Sequence, residues 1–145
     1  MKIKLLITIL GTLLFVSSSV AQQKALFPIR ENGKMGFADK KGKVMIPLQF
    51  ETVAEFSEGL AAVQIGGKWG YIDVTGKMII SPQFDDANLF KEGMATAEIN
   101  SKWSFIDTSG KIVIPLDSYR NISFCVFSEG LARVDSDGKI GFIDK

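Results

Sequence analysis

The string Lys34-Met35-Gly36-Phe37-Ala38-Asp39 returns as Lys68-Trp69-Gly70-Tyr71-Ile72-Asp73, as Lys102-Trp103-Ser104-Phe105-Ile106-Asp107 and as Lys139-Ile140-Gly141-Phe142-Ile143-Asp144, at spacings of 34, 34 and 37 residues. A period of this size constrains the fold more than any local propensity. It specifies one supersecondary unit that cannot bury its apolar face alone and must stack on copies of itself. Each copy except the last runs on into a Gly-Lys turn, an apolar triplet, a Pro-containing loop and the phrase Phe-x-Glu-Gly-(Leu/Met)-Ala.

Each unit reads as three short strands. In the second copy, Leu60 to Ile65 is followed by Gly66-Gly67 and then Lys68 to Asp73; the equivalent links are Asn32-Gly33, Asn100-Ser101 and Asp137-Gly138. All are residue types that tolerate positive φ, as the tight primed turns of two-residue hairpins require. The next link is Asp39-Lys40-Lys41-Gly42, Asp73-Val74-Thr75-Gly76 or Asp107-Thr108-Ser109-Gly110. Here Asp opens a type I turn and Gly closes it into a bulged hairpin. A third strand follows, at Lys43 to Ile46, Lys77 to Ile80 and Lys111 to Ile114. The expected fold is all-β: a repeat array of eleven short antiparallel strands, built as three-stranded meanders of about 34 residues and a terminal hairpin.

Alternation across the Gly66-Gly67 turn places Ala61, Val63, Gly70 and Ile72 on one face, with Met78 and Ile80 joining them from the third strand. The other face carries Leu60, Ala62, Gln64, Trp69 and Tyr71, and is ambiguous between core and surface. Pro28 cannot donate a ladder hydrogen bond and belongs on an edge, while Lys145 places a charge at the other end of the array.

With Lys68-Trp69-Gly70-Tyr71-Ile72-Asp73, Gly76-Lys77, Pro82-Gln83-Phe84-Asp85 and Phe90-x-Glu92-Gly93 in order, the chain resembles the WG-repeat (KWG-repeat) family from about residue 25 to the end. Met35 and Ile140 stand where that pattern has Trp, Ser104 replaces its Gly, and the third unit is three residues longer. The resemblance implies an all-β bacterial repeat protein, often exported. It implies no catalytic residues.

Residues 1 to 21 combine Lys2 and Lys4, the apolar run Leu5 to Val16 and the small residues Ser17-Ser18-Ser19-Val20-Ala21. They read as a secretory signal peptide cut after Ala21, with an apolar run too short to favour a permanent membrane anchor. Residues 22–145 then form the repeat domain of three full units plus the hairpin, and the expected location is the periplasm or beyond. Removing 21 of 145 residues leaves 124, with 15 basic against 16 acidic side chains. A charge this near zero does not hold a polyanion, so nucleic acid is not an expected partner. The chain has no histidine and one cysteine, which excludes histidine-based nucleophiles, imidazole zinc sites, thiolate clusters and an internal disulfide. Cys125 reads as a small buried apolar residue.

Several groups are candidates for chemistry. Trp69, Tyr71, Trp103 and Phe105, with Met35, Phe37, Ile140 and Phe142, form an aromatic stripe at repeat spacing. It could stack on sugars or grip an extended peptide; alternatively Phe56, Phe90 and Phe127 cover it as core. Replacement of Trp by Met and Ile at both ends without polar compensation favours the covered arrangement. Glu58, Glu92 and Glu129, and Asp39, Asp73, Asp107 and Asp144, recur in every unit, whereas a glycosidase needs one pair in two different environments. They read as turn-forming and capping groups. Asp135-Ser136-Asp137-Gly138 lacks the distal ligands of a calcium loop, and Asn121-Ile122-Ser123 is a weak glycan-acceptor match. The insertion at residues 117 to 125 brings Tyr119, Arg120 and Asn121 together, residue types suited to an interaction hot spot.

The expectation is a non-catalytic exported module that presents an elongated surface to a protein, a peptide or a cell-envelope glycan. It needs no cofactor or metal, and its first site candidates are Tyr119, Arg120 and Asn121, then Trp69, Tyr71, Trp103 and Phe105. The competing readings are a carboxylate-based glycan hydrolase and a purely structural envelope protein.

Overall fold

The computed structural model describes residues 25–116, 125–136 and 139–145. These residues form fourteen strands in four antiparallel sheets. The first sheet holds β1 (Leu26–Glu31), β2 (Lys34–Asp39) and β3 (Val44–Phe50). The second holds β4 (Thr52–Val53), β5 (Leu60–Ile65), β6 (Lys68–Asp73) and β7 (Met78–Phe84). The third holds β8 (Asp86–Ala87), β9 (Met94–Ile99), β10 (Lys102–Asp107) and β11 (Ile112–Pro115). The fourth holds β12 (Phe127–Ser128), β13 (Leu131–Ser136) and β14 (Lys139–Asp144). Pro28 lies in the edge strand β1, where its missing amide breaks no ladder.

The turns form where their chemistry places them. Asn32 and Gly33, Gly66 and Gly67, and Asn100 and Ser101 all have positive φ, as a primed two-residue turn requires. In the second link the amides of Gly42, Gly76 and Gly110 donate to the carbonyls of Asp39, Asp73 and Asp107. The Asp carboxylates accept from the amides two and four residues on.

Fourteen strands stand where eleven were expected. The three additional ones, β4, β8 and β12, are two residues long; β4 and β8 precede the Phe-x-Glu-Gly phrase, and β12 is its first two residues. That phrase is itself a tight turn: Ser57 and Leu60 exchange two backbone hydrogen bonds around Glu58 (φ 51°) and Gly59 (φ 82°), as Lys91 and Met94 do around Glu92 and Gly93. A glutamate in the left-handed region is disfavoured, so Glu-Gly is not legible as a hairpin turn.

The faces also need one correction. Met78 joins Ala61, Val63 and Ile72, but Ile80 packs on the opposite side with Tyr71, Leu60 and Ala62. A bulge makes the difference: Ile72 pairs with Met78 while Tyr71 pairs with Ile80, so the extra residue reverses the alternation.

A second irregularity explains the repeated glycine. Between the pairs Trp69–Phe84 and Tyr71–Ile80, three residues of β7 bow over the single residue Gly70. A β-carbon on Gly70 would fall 2.7 Å from the nitrogen of Pro82, and one on Gly36 would fall 2.5 Å from the carbonyl oxygen of Ile46. In the third unit, β10 and β11 pair regularly over this point, Ser104 opposite Pro115. Serine is accommodated where the bow is absent.

Successive sheets stack through three cores. Phe37, Ile46 and Phe50 of the first sheet meet Val53, Ala61, Val63 and Ile72 of the second. Leu60, Ala62, Tyr71, Ile80 and Phe84 then meet Ala87, Ala95, Ala97 and Ile106 of the third, together with Phe90. Phe105 and Leu116 in turn meet Phe127, Ala132 and Val134 of the fourth, together with Cys125. Each middle sheet therefore buries both faces, which resolves the ambiguous one as core. A β-carbon on Gly110, in the turn after β10, would fall 2.8 Å from Cγ2 of Ile80 in the preceding unit, and one on Gly76 would fall 3.3 Å from Cγ2 of Ile46.

Candidate functional site

Carboxylates tie each unit to the next. Glu58 accepts from the amides of Glu92 (2.6 Å) and Gly93 (2.8 Å), and Glu92 accepts from those of Glu129 (2.5 Å) and Gly130 (3.0 Å). In each case a residue pair with positive φ points two adjacent amides at one anion. Along the hairpin tips, Glu51 accepts from Gly66 (2.9 Å) and Gly67 (3.0 Å). Asp85, the equivalent residue one unit on, accepts from Asn100 (2.7 Å) and pairs with Lys68.

The partners of Glu51, Asp73, Asp85, Glu92 and Asp107 favour the ionised forms. The amides of Gly67 and Gly66 hold Glu51 below the usual carboxylate range. Lys145, and after it the amide of Gly130, does the same for Glu92. The Thr75 hydroxyl lowers Asp73, the Ser109 hydroxyl lowers Asp107 and the Lys68 ammonium lowers Asp85. A glycosidase acid needs a raised value, and none of these carboxyls has one. Among the described residues, no group of three or more His, Cys, Asp or Glu is placed to hold a metal.

The aromatic stripe divides. Tyr71 is 1% exposed and Phe105 0%. Phe37, Tyr71 and Phe105 lie against Phe56, Phe90 and Phe127, with ring centroids 4.7, 4.9 and 4.7 Å apart. Tyr71 also donates its hydroxyl to the carbonyl of Asn88 at 2.7 Å, and burial pushes its pKa up. Tyr71 and Phe105 are thus both packed in the core. Trp69 and Trp103 are half-buried beside the same cores. Tyr119, Arg120 and Asn121 lie outside the described residues, as do residues 1–21, Asp137-Gly138 and the Asn121-Ile122-Ser123 sequence. Cys125 is buried, its thiol raised by desolvation and its Sγ 2.9 Å from the carbonyl oxygen of Arg133.

A different repeated surface emerges on the third strands. Met45, Ile79 and Val113 occupy one position of β3, β7 and β11, and all three are exposed. Two residues before each stands an exposed lysine, Lys43, Lys77 or Lys111. These strands are sheet edges. Pro47, Pro82 and Pro115 interrupt their hydrogen-bonding rows, so recognition there falls to side chains rather than to addition of a strand. The signal was present in the sequence as an apolar residue recurring every 34 positions.

The family model for the WG containing repeat matches three consecutive segments, residues 35–69, 69–103 and 103–139. Neither a curated protein nor a solved structure matches the chain.

Proposed function

The chain belongs to the WG-repeat family, and we propose that it is a non-catalytic, exported interaction module that binds an extended segment of a partner protein along its third strands. The observation that carries this reading is the exposed row Met45, Ile79 and Val113, flanked by Lys43, Lys77 and Lys111. Apolar side chains exposed at a fixed period, with a basic group beside each, suit a peptide that alternates apolar and acidic residues. A ladder for sugar stacking needs open ring faces, and the structure buries Tyr71 and Phe105. The repeated carboxylates are engaged with backbone amides, which favours a scaffold over a hydrolase. Export rests on the leader-like sequence at residues 1–21.

The test is binding of fluorescently labelled acidic-apolar peptides by the parent and by a Met45→Glu, Ile79→Glu, Val113→Glu variant. Binding by the parent and loss in the variant, at unchanged melting temperature, is the expected result. No binding by the parent, or equal binding by both, overturns the reading. A variant lacking residues 118 to 120, assayed in parallel, shows whether Tyr119 and Arg120 contribute.

A further inference from the structure

We propose that the two ends of the stack are halves of one interface and that copies of this chain associate head to tail. Inside the molecule the same joint occurs three times. The forward face of one sheet, carrying Phe37, Tyr71 or Phe105, meets the rear face of the next, carrying residues such as Ala61, Val63 and Ile72. At the two ends these faces have no such neighbour among the described residues, and no core joins the fourth sheet to the first.

The forward face of the fourth sheet presents Leu131, Ile140 and Phe142 at the positions of Leu60, Trp69 and Tyr71. Phe142 is 66% exposed where its equivalent Tyr71 is 1% exposed. The rear face of the first sheet presents Phe27 and Val44 at the positions of Ala61 and Met78, and Phe27 is 50% exposed where Ala61 is fully buried. Apolar side chains of this size in open water indicate a covered surface. The occupant follows from continuity: a second copy's rear face adds to this forward face the kind of contact already made between the third and fourth sheets. The charges agree, with exposed Arg133 on the forward face and exposed Glu31 on the rear. Because the two surfaces differ, the contact is heterologous and adds copies in one direction.

Sedimentation of the protein expressed from its full sequence, across a wide concentration range, tests this. The mass should rise with concentration. Phe142→Arg and Phe27→Arg, both at exposed positions and checked for an unchanged melting temperature, should each remain monomeric. An equimolar mixture of the two should form a dimer and nothing larger, because each variant retains one intact face. A parent that stays monomeric throughout, or association that survives either substitution, overturns the proposal. Survival in Phe27→Arg but not in Phe142→Arg would indicate two forward faces meeting instead, and would overturn it equally.

Discussion

The carboxylate of Glu58 lies 2.6 Å from the backbone amide of Glu92, 34 residues along the chain. Glu92 makes the same bond to Glu129, 37 residues along. The three-residue insertion in the third unit therefore leaves this joint unchanged. It is taken up between the joints, so the loop can vary while the stacking geometry holds. The cost is local. Each recipient glutamate sits in the left-handed region, φ 50° at Glu92 and 53° at Glu129, which a non-glycine residue adopts at a penalty of roughly 1–2 kcal/mol. The strain aims two amides at the preceding unit.

Substitution by glycine separates strain from bonding. Glu129 has the strained backbone, yet its exposed carboxylate makes no hydrogen bond or ion pair among the described residues. Glu129→Gly should therefore be neutral or stabilising, by under about 1 kcal/mol once the added freedom of the unfolded chain is counted. Glu58→Gly relieves the same strain but leaves the amides of Glu92 and Gly93 without their acceptor, so it should melt lower than Glu129→Gly. Thermal unfolding followed by circular dichroism ranks the two, and the reverse order would sink this account of the joint.

Gly70 and Ser104 occupy one repeat position under opposite constraints. In Gly70→Ala the new β-carbon meets the backbone of β7, which cannot move aside as a flexible side chain could. A loss of about 1–3 kcal/mol is expected, as for an overpacked core. Ser104→Ala, beneath a regular ladder, should stay within about 1 kcal/mol of the parent. Urea denaturation of both variants checks the contrast through the shift in midpoint.

Much of this architecture was legible because each unit repeats its own evidence. Positive-φ residue types at four hairpin links and an Asp-x-x-Gly turn in three units account for every strand except β4, β8 and β12. Those three were hidden because Glu58 and Glu92 adopt a backbone conformation that their side chains disfavour locally, and the compensation lies in the neighbouring unit. Ile80 was placed on the wrong face because a bulge adds one residue to the alternation, and its position depends on pairing rather than composition. The row Met45, Ile79 and Val113 was lost to the same assumption of regular alternation.

Tyr71 joins two units through one hydroxyl, donated to the carbonyl of Asn88. Tyr71→Phe retains the ring against Phe90 but removes this hydrogen bond. A loss of about 1–2 kcal/mol should follow. Tyr71→Ala removes the ring as well and should cost about 3–5 kcal/mol, enough to unfold a marginal domain. Phe142→Ala, at the equivalent but exposed position, should leave the melting temperature almost unchanged. Equal losses at Tyr71 and Phe142 would contradict the burial described above.

Acid should dissolve the joints before it dissolves the cores. Glu51, Asp73, Asp85, Glu92 and Asp107 are all held below the ordinary carboxylate range by hydrogen bonds or cations present only in the folded chain. A carboxyl whose folded value is depressed binds its proton more readily once unfolded. Its contribution is thus fully present above the unfolded value, near pH 4, and is lost as pH falls through the folded value below it. Stability should be flat from neutrality down to about pH 5 and should then decline with falling pH. Asp73→Asn retains an acceptor oxygen but removes one titrating group, so it should lower stability at neutral pH and flatten the decline. Urea midpoints measured at a series of pH values for parent and variant give both slopes. A parent whose stability rises on acidification would show that these carboxylates do not stabilise the fold in their charged form.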